Sequence, residues 1–234
     1  IYNMKLEVEM LQKEYENVLS GYAMLLAFRL INLCVKADAT ILLPTIVYVN
    51  GEEKKMEDVA DVGMRAEDVL DIYPFHEDLI KPIGVAVAEI HPELKQKLET
   101  IHVDEQQKDF KYLSLTIPEV NKNRHDILLE GVDAFADLAK GQTDAAEARY
   151  TVRLEKELFG RPADETDEAH NHFKETLKDH NKRVKSIIED KQKEIEDAYK
   201  RYQEKQAEKE QSKLEQMAAE GADVKSQLKM PTAK

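Results

Sequence analysis

Side chains able to do chemistry are scattered along this sequence rather than gathered. The single cysteine, Cys34, lies in an apolar run, Leu30-Ile31-Asn32-Leu33-Cys34-Val35, with no histidine or basic pair beside it to activate the thiol. Such a cysteine reads as a buried structural group. One cysteine also excludes an internal disulfide and points to a reducing compartment. Of the seven histidines, only His170, His172 and His180 form a local group. Ligands on one helix face need a four-residue spacing and a third partner nearby, whereas His172 and Asp179 stand two turns apart, so no metal site is expected. The run Asp164-Glu165-Thr166-Asp167-Glu168 lacks the ligand order of a calcium loop and reads as a helix N-terminus. Phosphate-binding glycine loops, nucleophile elbows and paired-cysteine motifs are all missing from the sequence. No enzymatic activity, cofactor or small-molecule substrate is expected.

Composition points to a protein that binds. Charged residues make up 35% of the chain and aromatics 6%, with no Trp, which suits long, solvent-washed helices better than a sheet-rich enzyme. The formal net charge of -13 argues against broad, non-specific nucleic-acid binding, although a local basic patch remains compatible with it. Apolar runs fall short of the roughly 18–20 residues of a transmembrane helix, so no membrane partner is expected. The sequence begins at Ile1 rather than Met, as it would after removal of an organelle-targeting peptide.

The elements follow from the change of hydrophobic period. Lys5 to Val35 is helical, with Leu6, Met10, Tyr15, Val18, Leu19, Tyr22, Leu25, Leu26 and Leu30 in step. Lys36-Ala37-Asp38-Ala39 ends it. Ile41–Leu43 and Thr45–Val49 read as strand, and Asn50-Gly51 is a hairpin turn. Lys55–Val59 and Val69–Tyr73 are further short alternating segments, the latter broken by Pro74. A helix is expected from Ile80 to Ile90, bounded by Lys81-Pro82 and His91-Pro92, with further helical turns over Glu93–Ile101. Tyr112–Ile117 is a strand closed by Pro118. From Asn121–Asn123 a second rod runs to Gly160-Arg161-Pro162, carrying Ile127, Leu128, Gly131, Phe135, Leu138, Ala139, Gln142 and Ala145 as its apolar stripe. A third, starting at Asp164 or Thr166, carries a seam from Phe173 to Tyr202. Residues 203–220 read as a lone charged helix and 221–234 as a flexible tail.

The fold class expected is therefore α+β. Residues 1–39 and 118–220 form a discontinuous three-helix bundle, and 40–117 form an inserted β/α/β module. Ala37, Ala39, Ile117 and Pro118, where the chain crosses between the two parts, are the expected hinge.

This order of segments resembles the ribosome recycling factor family from about Leu6 to Tyr202. The insert supplies Ile46-Val47-Tyr48-Val49-Asn50-Gly51, Met56-Glu57-Asp58-Val59-Ala60, Leu70-Asp71-Ile72-Tyr73-Pro74-Phe75 and Ile83-Gly84-Val85-Ala86-Val87, nearly at the family's spacing. Leu115-Thr116-Ile117-Pro118-Glu119-Val120, followed by Arg124, matches the strand-proline-helix passage into the second rod. The resemblance implies an L-shaped protein that binds the ribosome between its subunits and contacts ribosomal RNA.

The departures lie in the RNA-contacting residues. Where the family has an Arg-Thr-Gly-Arg-Ala-type motif, this chain has Leu33-Cys34-Val35-Lys36-Ala37. Along the second rod, the family's row of arginines meets Asp133, Lys140, Asp144 and Glu147-Ala148, with Arg149 next. Carboxylates at phosphate distance are repelled. Lys36, Arg124, Lys140, Arg149 and Arg153 remain as candidate RNA- or ribosome-binding residues. The expected function is thus a constitutive component or assembly factor of a mitochondrial ribosome, in the matrix ahead of the plastid, docked on basic ribosomal proteins with reduced rRNA contact. One alternative is an active recycling factor that splits post-termination ribosomes with an elongation factor. Another is a ribosome-independent coiled-coil scaffold.

Overall fold

The computed structural model describes residues 2–227, with side chains described from Leu6 to Gly221. The chain has mixed helix and sheet, with a long helical part and a small sheet part. Helix α1 spans Tyr2–Ile31. Then come a 3₁₀ turn (Ala39–Leu42), strands β1 (Ile46–Val49) and β2 (Glu52–Lys55), the one-turn helix α2 (Met56–Val59), and strands β3 (Ala60–Ala66) and β4 (Val69–Pro74). Helix α3 (Ile80–Ile90), strands β5 (Lys95–Val103) and β6 (Lys108–Thr116), and helices α4 (Lys122–Leu158) and α5 (Ala163–Gln227) complete the order.

The β1–β2 hairpin turns at Asn50 and Gly51, with φ of 53° and 83°, the left-handed pair that an Asn-Gly turn supplies. Strands β3, β4, β6 and β5, in that order, make an antiparallel sheet. Helix α3 covers it, burying Ile83, Ala86 and Val87 against Leu70, Ile72, Leu113 and Leu115. That core also takes in Cys34, Ala37 and Ile117 from the crossing segments.

Helices α1, α4 and α5 pack together around two apolar clusters. One holds Leu26, Leu30, Val120, Leu128, Val132 and Ile195 near the sheet part. The other, toward the far end, holds Tyr15, Leu19, Tyr150, Leu154 and Phe173. The Tyr15 ring stacks on Phe173 at 4.8 Å and lies 5.1 Å from Tyr150. Between the clusters, buried Thr143 donates to the Ala139 carbonyl and accepts from His180 Nε2 at 2.9 Å.

Several local expectations are corrected. Helix α1 stops at Ile31 rather than Val35. Residues 41–43 lie in and just after a 3₁₀ turn rather than a strand, because Asp38 caps it by accepting from the Thr40 amide and hydroxyl. Residues 55–59 wind into α2, whose Asp58 accepts from the Lys55 amide. Residues 95–101 are strand, not helical turns, because pairing with β6, from Lys95 with Thr116 to Ile101 with Phe110, fixes them at the sheet edge. The stripe of α4 is rotated: Ile127, Leu138 and Ala145 are exposed, and His125, Val132, Thr143 and Ala146 are buried instead. Helix α5 continues through Gly221 to Gln227, where a tail is expected; 228–234 lie outside the described residues.

Asn121 caps α4 by accepting from the Arg124 amide at 2.9 Å. One turn in, His125 joins α4 to α5. Its Nδ1 meets Asp126 at 3.0 Å, its Nε2 meets Glu196 at 2.8 Å, and its ring lies 4.5 Å from Tyr199. Asp126, with Glu196, holds this imidazole above its ordinary pKa of about 6.5. The folded state therefore binds the proton more tightly than the unfolded chain. The contribution is fully present below the unfolded pKa and is lost as pH rises through the folded one. His125→Gln is expected to lower stability by about 1 kcal/mol near pH 6 and by less near pH 9, read from denaturant unfolding of both proteins. A difference that does not shrink with rising pH would assign His125 a packing role only.

Candidate functional site

At about 100° per residue, Asp133, Asp137, Lys140, Asp144 and Glu147 fall within roughly 80° of arc on α4. All five are exposed. Arg124, Arg149 and Arg153 fall on the opposite side of the same helix. The rod therefore carries an acidic face and a basic one.

The basic side is engaged within the protein. Arg153 grips Glu14 of α1 through both terminal nitrogens, at 2.7 and 2.9 Å, and Tyr150 donates to the same carboxylate at 2.8 Å. Arg153 first, and Tyr150 second, hold the Glu14 carboxyl down at about 2. The Arg149 guanidinium lies 5.1 Å from the Tyr150 ring. Arg124 is half-buried and donates to the Cys34 carbonyl at 2.6 Å. Its burial holds its pKa below the ordinary guanidinium value. On the other face Lys140 is paired with Asp144 at 2.7 Å, and Lys36 stands 3.8 Å from Glu194 of α5. Each of the five candidate basic residues thus has a partner inside the chain. They do not form one cluster, since four are spread along α4 and one follows α1.

The acidic face borders a groove of about 530 Å³ between α4 and α5. Ala136, Leu177, Val184 and Ile188 supply its apolar lining. Asp137, Asp144, Glu147 and Glu189 line it too, and its two lysines are already taken, Lys140 by Asp144 and Lys185 by Glu189 at 3.6 Å. An apolar floor under a net excess of carboxylate, with Asp137 and Glu147 left over from the lysine pairs, suits an amphipathic, basic surface and repels phosphate.

Of the expected hinge residues, Ala37, Ile117 and Pro118 meet at one place. The Ala37 amide donates to the Glu67 carbonyl at 2.6 Å, and the Ile117 amide donates to the neighbouring Asp68 carbonyl at 2.8 Å. Both crossing segments are thus held by the β3–β4 turn. Ala39 opens the 3₁₀ turn, and Pro118 lines a cleft beside α5. Helix α5 braces this joint through Arg201 with Glu67 at 3.8 Å and through Lys205 with Glu119.

The family model for ribosome recycling factor matches residues 28–195, which include both crossings, the whole sheet part and α4. The chain belongs to the ribosome recycling factor family. Solved structures of recycling factors are among those that share its fold. A solution structure of the ribosome recycling factor is 15% identical with a TM-score of 0.64, covering 82% of this chain and 98% of that one. Models of the T. thermophilus ribosome recycling factor and the E. coli elongation factor G on the E. coli post-termination complex include a chain 17% identical, with a TM-score of 0.51, covering 80% and 98%. No curated protein sequence matches. Within the family's matched span the acidic face of α4 lies whole, whereas α5 beyond Ile195 lies outside it.

Among the described residues no helix is long and apolar enough to cross a membrane. One grouping escaped sequence reasoning altogether. Cys34, His91 and Glu93 come together beside Arg124, although nothing in their spacing along the chain announces it.

Proposed function

We propose that this recycling-factor-family protein binds the ribosome of the mitochondrion, in the matrix, as a ribosomal component or assembly factor. It docks through the acidic α4–α5 face on basic ribosomal protein, with rRNA contact confined to few basic residues. The observation that carries this reading is the α4 face itself, where Asp133, Asp137, Asp144 and Glu147 stand with a single, already paired lysine. Recruitment is by binding alone, since no catalytic grouping enters the reading.

A second reading, active recycling of post-termination ribosomes with an elongation factor, is favoured by the joint at Glu67-Asp68. Both crossings meeting at one turn allow the sheet part to swing about a short axis. One of the structures that share the fold has a recycling factor and elongation factor G on a post-termination complex. A ribosome-independent scaffold is the third reading, resting on the exposed end of α5.

Sucrose-gradient sedimentation of organelle lysate at low and raised salt tests the three. Co-migration with one subunit or its precursors that survives raised salt is the expected result. Substoichiometric, salt-labile association that grows when recycling is blocked would replace it with the second reading. Absence from every ribosomal fraction would leave the scaffold.

A further inference from the structure

Cys34 and His91 are each only 3% exposed, and together with Glu93 they offer ligand atoms that all lie within 4.8 Å of one another. His91 Nε2 lies 3.2 Å from the Ile41 carbonyl. That contact turns the other ring nitrogen, Nδ1, toward Glu93 Oε1, also at 3.2 Å. The Cys34 thiol, now turned to the Asn32 and Ile31 carbonyls at 3.5 and 3.8 Å, lies close by. A ring fixed through one nitrogen by a backbone carbonyl, with its second nitrogen beside a carboxylate, is the arrangement that metal-binding histidines use. The span of the three ligand atoms needs only a small contraction. Tetrahedral zinc, with bonds of about 2.0–2.2 Å to N and O and 2.3 Å to S, sets its ligand atoms about 3.3–3.6 Å apart.

We propose that Cys34, His91 and Glu93 form a binding site for a zinc-class divalent ion at the junction of the two parts of the protein. Sulfur, imidazole and carboxylate together favour this class over magnesium or calcium, which take oxygen ligands. Three protein ligands leave a fourth position for water. Binding displaces the thiol proton and needs an unprotonated ring nitrogen, so affinity is expected to rise with pH.

The backbone is set for this role. Arg124 holds the Cys34 carbonyl, and the His91 amide donates to the Val87 carbonyl at 2.8 Å, closing α3 just before Pro92. Cys34 belongs to the segment leaving α1, whereas His91 and Glu93 belong to the corner between α3 and β5. An ion bound here ties the crossing segment to the sheet part independently of any ribosome contact, and stiffens the joint.

The test is titration of the metal-free, reduced full chain with cobalt as the spectroscopic probe. A thiolate-to-cobalt charge-transfer band saturating at one equivalent, and displaced by zinc, is expected. Outer partners of metal ligands are themselves worth ten- to a hundredfold in affinity, so Cys34→Ser is expected to abolish the band and weaken binding by about 100-fold or more. His91→Gln should weaken binding similarly, and Glu208→Gln, exposed on α5, should leave cobalt binding unchanged. Circular dichroism checks that the variants keep their helices. If a variant unfolds, the wild-type titration decides alone. No charge-transfer band in the wild-type protein, or binding that survives Cys34→Ser, overturns the proposal and leaves the cluster as a hydrogen-bonded pair beside a structural thiol.

Discussion

Tyr15→Ala is expected to lower stability by about 3–5 kcal/mol, the range for removing a large buried aromatic. The ring is 2% exposed and joins all three long helices, with Phe173 of α5 against one side and Tyr150 of α4 beside it. Its stacking adds to its burial. Burial pushes its hydroxyl up to about 12, so it stays uncharged at any working pH. For a chain of this size the loss corresponds to a fall in Tm of roughly 6–20 °C. Because the apolar core is divided into three clusters, the damage is expected to be local. Hydrogen exchange should accelerate around Val8–Leu19 and Ala146–Leu158 while the sheet part stays protected. Equal acceleration throughout would show that the clusters unfold as one unit.

The second large effect concerns the acidic face. Asp133→Arg combined with Asp144→Arg is expected to weaken ribosome association by on the order of 10- to 100-fold, because it places like charges against a basic partner. Both positions are exposed, so folding should be untouched. The Lys140–Asp144 pair that is lost is a surface pair of small value. Binding of purified ribosomes by the double variant and the parent protein reads the effect. Tighter binding would mean that this face meets RNA, and would remove the basis for docking on basic protein. Unchanged binding would mean that the face touches nothing.

The readable parts of the fold were those governed by local chemistry. Asn50-Gly51 names its own turn, Asn121 caps α4 where an amide must be satisfied, and the prolines bounding α3 left little freedom. The misread parts depend on distant partners. Residues 95–103 are mostly polar because they form a sheet edge, and only β6 makes them a strand. In α4 the buried row includes His125 and Thr143, whose partners Glu196 and His180 lie on α5. A stripe drawn through apolar residues alone keeps Leu128 and Ala139 but is displaced to one side, taking in the exposed Ile127, Leu138 and Ala145. The candidate site divides the same way. Asp133, Asp137, Asp144 and Glu147 share a face by helical arithmetic. The pairing of Arg153 with Glu14, and the meeting of Cys34 with His91, required the folded chain.

Helix α5 has a mechanical consequence. From Ala207 to Gly221 every residue is exposed, and the helix runs on to Gln227. The 22 residues from 206 to 227 therefore stand beyond the last brace at Lys205, a lever arm of roughly 30 Å at 1.5 Å per residue. A tilt of about 10° at its base sweeps the tip through roughly 5 Å, about one helical turn. Anything that grips the tip feels small rotations of the helical part magnified, and anything that rotates the helical part is reported at the tip as displacement.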